Sequence, residues 1–175
     1  SGTDARAHTP PRRLSDGVMI NKPLALSERE WLYPVGYHDN VALPGKPAND
    51  PPVTPVFRSD DLGESIREIG RTAIALRGFD EHMLVLHEDC LALYARASYG
   101  ISRSVSFDRG VTWSDGKDSG LGGPDSRFFI RRLRSGRLLL INHKDYLNEP
   151  YEAYLRRYDL LNWFTKLQIR RCNLT

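Results

Sequence analysis

Glu81 and Arg96 are the residues whose types and spacing most directly suggest chemistry. The runs Met83–Leu86 and Leu91–Ala95 are short and apolar, and Glu88 and Asp89 separate them, which predicts a β-hairpin rather than a helix. With the turn centred on those two acids, antiparallel partners have numbers that sum to 177. Leu86 then faces Leu91, Leu84 faces Leu93, and Glu81 faces Arg96 on one face at the open end. A guanidinium is a planar, always-charged fork that grips a carboxylate through two N–H groups. A buried glutamate beside a hydroxyl can take its proton and so activate a weak nucleophile. The plain alternative is a cross-strand ion pair with no ligand.

A second pair follows from the next hairpin. Phe128–Leu133 and Leu138–Asn142 flank Ser135-Gly136, a strong turn signal. Partners summing to 271 set Phe128 against His143 and Arg127 against Lys144. Arg127 and His143 would then join Glu81 and Arg96 at one end of the strands. Converging basic groups suit an anionic sugar, and they read equally well as surface residues without a ligand. Asn21 and Lys22 hold the matching place in the first hairpin. His82 and His87 read as packed or solvated side chains.

Composition narrows the classes. The chain has 175 residues, 40% of them hydrophobic, enough for one domain with a core or part of a larger one. A net charge of +3 with scattered arginines argues against nucleic acid. No apolar run reaches the length of a membrane span. Cys90 and Cys172 share no ligand-like spacing, which argues against zinc and leaves a disulfide and two free thiols both open. No metal or organic cofactor is implied. The start, SGTDARAHTPPRR, lacks the apolar stretch of a signal peptide and an initiator Met, and reads as processed, engineered or fragmentary.

The elements that must position these residues are short strands. Residues 1–17 form a polar arm. Val18–Leu26 and Trp31–Val35 flank a turn at 27–30, Thr54–Arg58 and Arg71–Leu76 are strand candidates, and Ile101–Ser106 follows the central hairpin. Tyr37–Pro52 and Ser114–Pro124 read as loops. A motif repeats: Ser59-x-Asp61-x-Gly63-x-Ser65-Ile66 and Ser106-x-Asp108-x-Gly110-x-Thr112-Trp113 lie 47 residues apart, and Asp89-Cys90 and Ser135-Gly136 at the turns of the last two hairpins are spaced by 46. A unit of this length made only of short strands is a four-stranded propeller blade. In the motif, the Asp and Ser or Thr side chains fix a tight turn, Gly110 permits positive φ, and Trp113 buries its ring beneath. A calcium loop is the weaker reading, because too few carboxylates alternate. Toward the C-terminus, Asn148-Glu149-Pro150 is a helix-start signal, so a helical insertion is expected over 148–169 and a further strand from 170 to 175.

The stretch Ser106–Trp113 matches the Asp-box of the sialidase-like (BNR) β-propellers, and Ser59–Ile66 is similar to a degenerate copy. The resemblance covers most of 14–144. It implies an all-β fold of about three four-stranded blades of a six-bladed type over 18–147, with Asp-boxes between third and fourth strands, away from the catalytic face. It further implies that Glu81 assists a Tyr nucleophile and that Arg96 grips a substrate carboxylate. Arg171-Cys172-Asn173-Leu174-Thr175 is similar to the segment carrying another arginine of that triad, which gives Arg171 that role. The implied activity is that of a sialidase-like glycoside hydrolase on an acidic glycan, in a secreted or periplasmic setting. A non-catalytic carbohydrate-binding propeller is one alternative. Another is a lyase or glycosidase of uronate-containing polysaccharide that uses His143 with Arg127. The chain departs from the family pattern: it holds no convincing first triad arginine, no assignable Tyr nucleophile and no acid/base Asp. About three blades where six close a ring favours self-association.

Overall fold

A computed structural model describes residues 10–37, 53–77 and 81–143, together with the backbone of 167–172. The described residues form strands, turns and loops with no helix. Three antiparallel sheets follow one another along the chain. The first comprises β1 (Leu24–Ala25), β2 (Trp31–Tyr33), β3 (Val53–Ser59) and β4 (Arg67–Ala73), in that order. The second comprises β5 (His82–Leu86), β6 (Leu91–Ala97), β7 (Gly100–Ser106) and β8 (Lys117–Asp118). The third comprises β9 (Phe129–Arg132), β10 (Leu138–His143) and β11 (Leu167–Cys172). Their first strands meet: β5 touches β1 on one side and β9 on the other.

The core explains why the central strands are apolar throughout instead of alternating. Leu91, Leu93, Ala95 and Ala97 of β6 pack with Leu32 and Val56 of the first sheet and with Ile74 just after β4. Ala92 and Tyr94, pointing the other way, pack with Phe128, Ile130, Leu138 and Leu140 beside β9 and β10. The second sheet is therefore buried on both faces, which removes the polar face that a half-exposed sheet would show. Each fully buried large side chain in these layers contributes roughly 1.5–3 kcal/mol of transfer free energy.

Two hairpins test the register arithmetic. In the central one, Leu86 pairs with Leu91 and His82 with Ala95, and His87 N donates to Cys90 O at 2.8 Å around the two-residue turn. That is the expected register. In the third sheet Leu138 pairs with Arg132 and Ile141 with Phe129, so partners sum to 270 and not 271. The loop has three residues, closed by Leu133 N to Arg137 O at 2.8 Å, with Gly136 at φ 80°. A type I turn followed by a left-handed glycine lengthens the loop by one residue and shifts the register with it. Phe128 therefore does not face His143; the continued register sets Arg127 there.

Other boundaries move as well. β4 begins at Arg67 and ends at Ala73, earlier than the expected Arg71–Leu76 strand, because it starts directly after the 59–66 turn. The loop 114–124 contains β8, which pairs with β7. Residues 167–169 belong to β11, paired with β10 and beginning before the expected strand at 170, so the helical insertion does not extend over them. The rest of that insertion, Lys144, and residues 173–175 lie outside the described residues, as do 1–9 of the arm and 38–52 of the expected loop.

Candidate functional site

The open end of the central hairpin forms as its register requires. The ladder continues one pair beyond β5, with Arg96 N donating to Glu81 O at 2.9 Å. Their side chains meet as well, Arg96 Nη1 lying 3.3 Å from Glu81 Oε2. Both are well covered, at 15% and 13% side-chain exposure, so solvent screens the pair weakly.

A third residue, which pattern reading missed, holds Arg96 more tightly than Glu81 does. Arg96 Nε donates to Asp125 Oδ1 at 2.6 Å, and Nη2 donates to the main-chain oxygen of Asp125 at 2.7 Å. The Nε–Nη2 edge of the guanidinium is thereby chelated by one residue of the 119–127 loop. That loop is anchored from two sides. Ser119 N and Oγ both donate to Ile101 O, at 3.0 and 2.7 Å, and Asn142 Nδ2 of β10 donates to Gly122 O at 2.9 Å. A β-carbon on Gly123 would lie 2.5 Å from Asn142 Nδ2, so the loop and β10 approach as closely as a glycine allows. The formal charge of Glu81, Arg96 and Asp125 together is −1. Asp125 carried no sequence signal, because it sits in a loop with no period; only the pairing of residues 29 apart reveals it.

The remaining candidates are placed less favourably for a common site. Arg127 is exposed and donates through Nη2 to Ile20 O at 3.1 Å. His143 is half-buried at the end of β10, and burial pushes its imidazole below the ordinary value, favouring the neutral form over the cation expected of a basic cluster. Arg171 pairs with Leu139, near the β9–β10 turn. Its backbone therefore lies toward the opposite end of the strands from Arg96. His82 is buried, with Nε2 3.2 Å from Pro55 O, a packing role as expected. Cys90 is a buried free thiol whose pKa burial pushes up, which suits an inert side chain.

The repeated turn sits at the other end of the sheets, between β7 and β8 and again between β3 and β4. Ser106 Oγ donates to Asp108 Oδ1 at 2.8 Å and accepts from Gly110 N at 2.8 Å. Asp108 accepts from Val111 N, Thr112 N and Thr112 Oγ1. Trp113 Nε1 closes the turn on Gly110 O at 2.9 Å. The first copy repeats these bonds: Ser59 Oγ to Asp61 Oδ1 at 2.7 Å, Gly63 N to Ser59 Oγ at 2.8 Å, and Ser65 Oγ to Asp61 Oδ2 at 2.6 Å. Leu62 and Arg109, at the same place in each copy, both take positive φ, at 65° and 63°. These carboxylates spend their lone pairs on their own turn, which leaves the structural role and weakens the calcium reading. Among the described residues, no group of three or more His, Cys, Asp or Glu side chains is placed to hold a metal ion.

Compared with known proteins, residues 2–170 match the model of a BNR repeat-like domain. No curated protein matches the chain.

Proposed function

The chain belongs to the BNR repeat-like family, and on that premise we propose that its sheets are successive blades of a sialidase-like β-propeller acting on, or binding, an acidic glycan. The observation that carries this reading is the Glu81–Arg96 pair, 3.3 Å apart and mostly covered, at the end of the sheets opposite both repeated turns. The arrangement suits a carboxylate-bearing sugar: Arg96 would orient it, and Glu81 would draw a proton from a neighbouring hydroxyl. The exposed Arg127 adds positive charge near the same end. In this reading the turns at 59–66 and 106–113 are Asp-boxes that lock third to fourth strands and take no part in chemistry.

A second reading, sugar binding without cleavage, is favoured by the two hydrogen bonds from Arg96 to Asp125. Arg96 already spends its Nε–Nη2 edge on Asp125, so a ligand carboxylate meets only the edge that Glu81 also uses. Turnover of a fluorogenic sialoside separates the two. The enzyme reading expects hydrolysis that falls by roughly 100-fold in Glu81→Gln, in the range that a general base contributes. Binding of the free sugar acid without turnover establishes the second reading, and neither turnover nor binding sinks both.

A further inference from the structure

Arg96 already has its carboxylates; the cations that lack them line a different surface. Where the first strands β1, β5 and β9 meet, they leave a groove of about 310 Å³, near the small end of the roughly 300–1,000 Å³ typical of ligand sites. Lys22, Arg131 and Arg132 line it, and Leu24, Met83 and Phe129 supply apolar wall. No Asp or Glu is among its lining residues. Two other grooves, near the β5–β6 turn, both include Asp89, and one adds Glu88.

Among the described residues, no carboxylate pairs with the cations of the groove. Arg132 bonds to carbonyls only: Nε and Nη2 donate to Leu86 O at 3.0 and 2.8 Å, and Nη1 donates to Gly136 O at 2.6 Å. Those bonds fix its direction and bring it no negative charge from the described residues. Lys22 and Arg131 form no ion pair among the described residues. Charges of one sign beside a low-dielectric wall focus their field into the cleft and attract the opposite charge. The apolar wall suits the C–H face of a sugar ring, which packs on aromatic and aliphatic surface.

We propose that this groove binds an acidic sugar unit, with its carboxylate or sulfate held by Lys22 and Arg131 and its ring against Leu24 and Phe129. The proposal rests on the acidic-glycan reading for its ligand, but moves the anion from Arg96 to the meeting of the first strands. The test uses the whole chain and two probes. Fluorescence of 8-anilinonaphthalene-1-sulfonate, an apolar anion, reports the groove, and displacement by N-acetylneuraminate or glucuronate reports the sugar acid. The Lys22→Gln, Arg131→Gln double variant should weaken both by about tenfold or more, the scale of one charge-assisted contact, while Arg67→Gln, an exposed arginine beside the 59–66 turn, binds as wild type. Both substituted side chains are exposed, so an unchanged melting temperature certifies the fold; if it drops, the single Lys22→Gln variant carries the test. Sugar-acid binding that is lost in Arg96→Ala and kept in the double variant overturns the groove and leaves the glycan reading standing. A wild-type chain that binds neither sugar acid overturns both.

Discussion

The two ends of the sheets are built on different principles. At the turn-bearing end, Asp108 draws its hydrogen bonds from within residues 106–113. At the other end, Arg96 reaches partners 15 and 29 residues away, on a neighbouring strand and on a loop anchored to the next sheet. A self-contained turn can be copied, and it occurs twice with the same bonds among its Ser, Asp, Gly and Ser or Thr residues; a cluster assembled from separate elements occurs once. The difference separates what holds the sheets from what a ligand could perturb. Damage to the turn end should therefore register as lost stability, and damage to the charged end chiefly as changed binding.

The largest effect is expected where the turn end meets the first sheet. A β-carbon on Gly70 of β4 would lie 2.3 Å from Gly110 O and 2.4 Å from Val111 O, both backbone atoms of the second turn. Neither can swing aside as a flexible side chain would, so the sheets must separate. Gly70→Val should destabilise by roughly 3 kcal/mol, a fall of about 6–12 °C in Tm for a chain of this size. Thermal unfolding followed by circular dichroism measures it. A Tm within a degree or so of wild type would show that the turn and β4 are not in close contact, and the comparison would lose its structural half.

The next effect is a pH dependence confined to the turns. The Thr112 hydroxyl, followed by the Thr112 N–H, holds the Asp108 carboxyl down to about 2, with Ser106 and Val111 adding to the shift and burial opposing it. Asp61 is lowered in the same way by Ser65 and Ser59. An unfolded chain takes up these protons near the ordinary value of about 3.9. The folded pKa is the lower one, so the stabilisation is fully present above about pH 4 and is lost as pH falls through about 2. Denaturant midpoints measured from about pH 5 to about pH 2 should decline in that window for wild type. In Asp108→Asn the decline should be shallower, from a lower starting point. An equal slope in the variant would mean that other carboxylates carry the acid sensitivity.

Sequence reading followed the same division. The turn motif was legible because all its bonds are local: residue types at fixed offsets specify it, and both copies form. The central hairpin was legible because two acids make an unambiguous two-residue turn, which placed Glu81 opposite Arg96. The third hairpin was off by one because Ser135-Gly136 imitates a two-residue turn, whereas Gly136 closes a three-residue one. Alternation alone could not correct the slip, since residues on both faces of β9 and β10 include apolar side chains. Asp125 was not legible at all. Its role depends on how Asn142 and Ile101 of β7 place the 119–127 loop, and no spacing rule connects them. The cationic groove was hidden for the same reason: its charges come from two separate segments, the approach to β1 and strand β9.

The smallest expected change in stability is the most informative about the charged end. Asp125→Asn keeps an oxygen that can accept from Arg96 Nε and keeps the main-chain acceptor of Nη2, but removes the negative charge. The carboxylate is 36% exposed, so solvent already screens much of the interaction, and the loss should be about 0.5 kcal/mol, or about 1–2 °C in Tm. The formal charge of Glu81, Arg96 and residue 125 rises from −1 to neutral, and the hold on the Nε–Nη2 edge weakens. The Arg96 Nε–H resonance, assigned by its absence in Arg96→Lys, should therefore move in Asp125→Asn without ligand, and move further on adding N-acetylneuraminate. In wild type the same addition should leave it nearly still, because Asp125 occupies the edge that a carboxylate would take. A fall in Tm as large as that of Gly70→Val would make Asp125 a structural residue and erase the contrast between the two ends. A wild-type resonance that shifts fully with the sugar acid would show that Arg96 exchanges Asp125 for a ligand at little cost, which returns the anion to Arg96 and takes it from the groove.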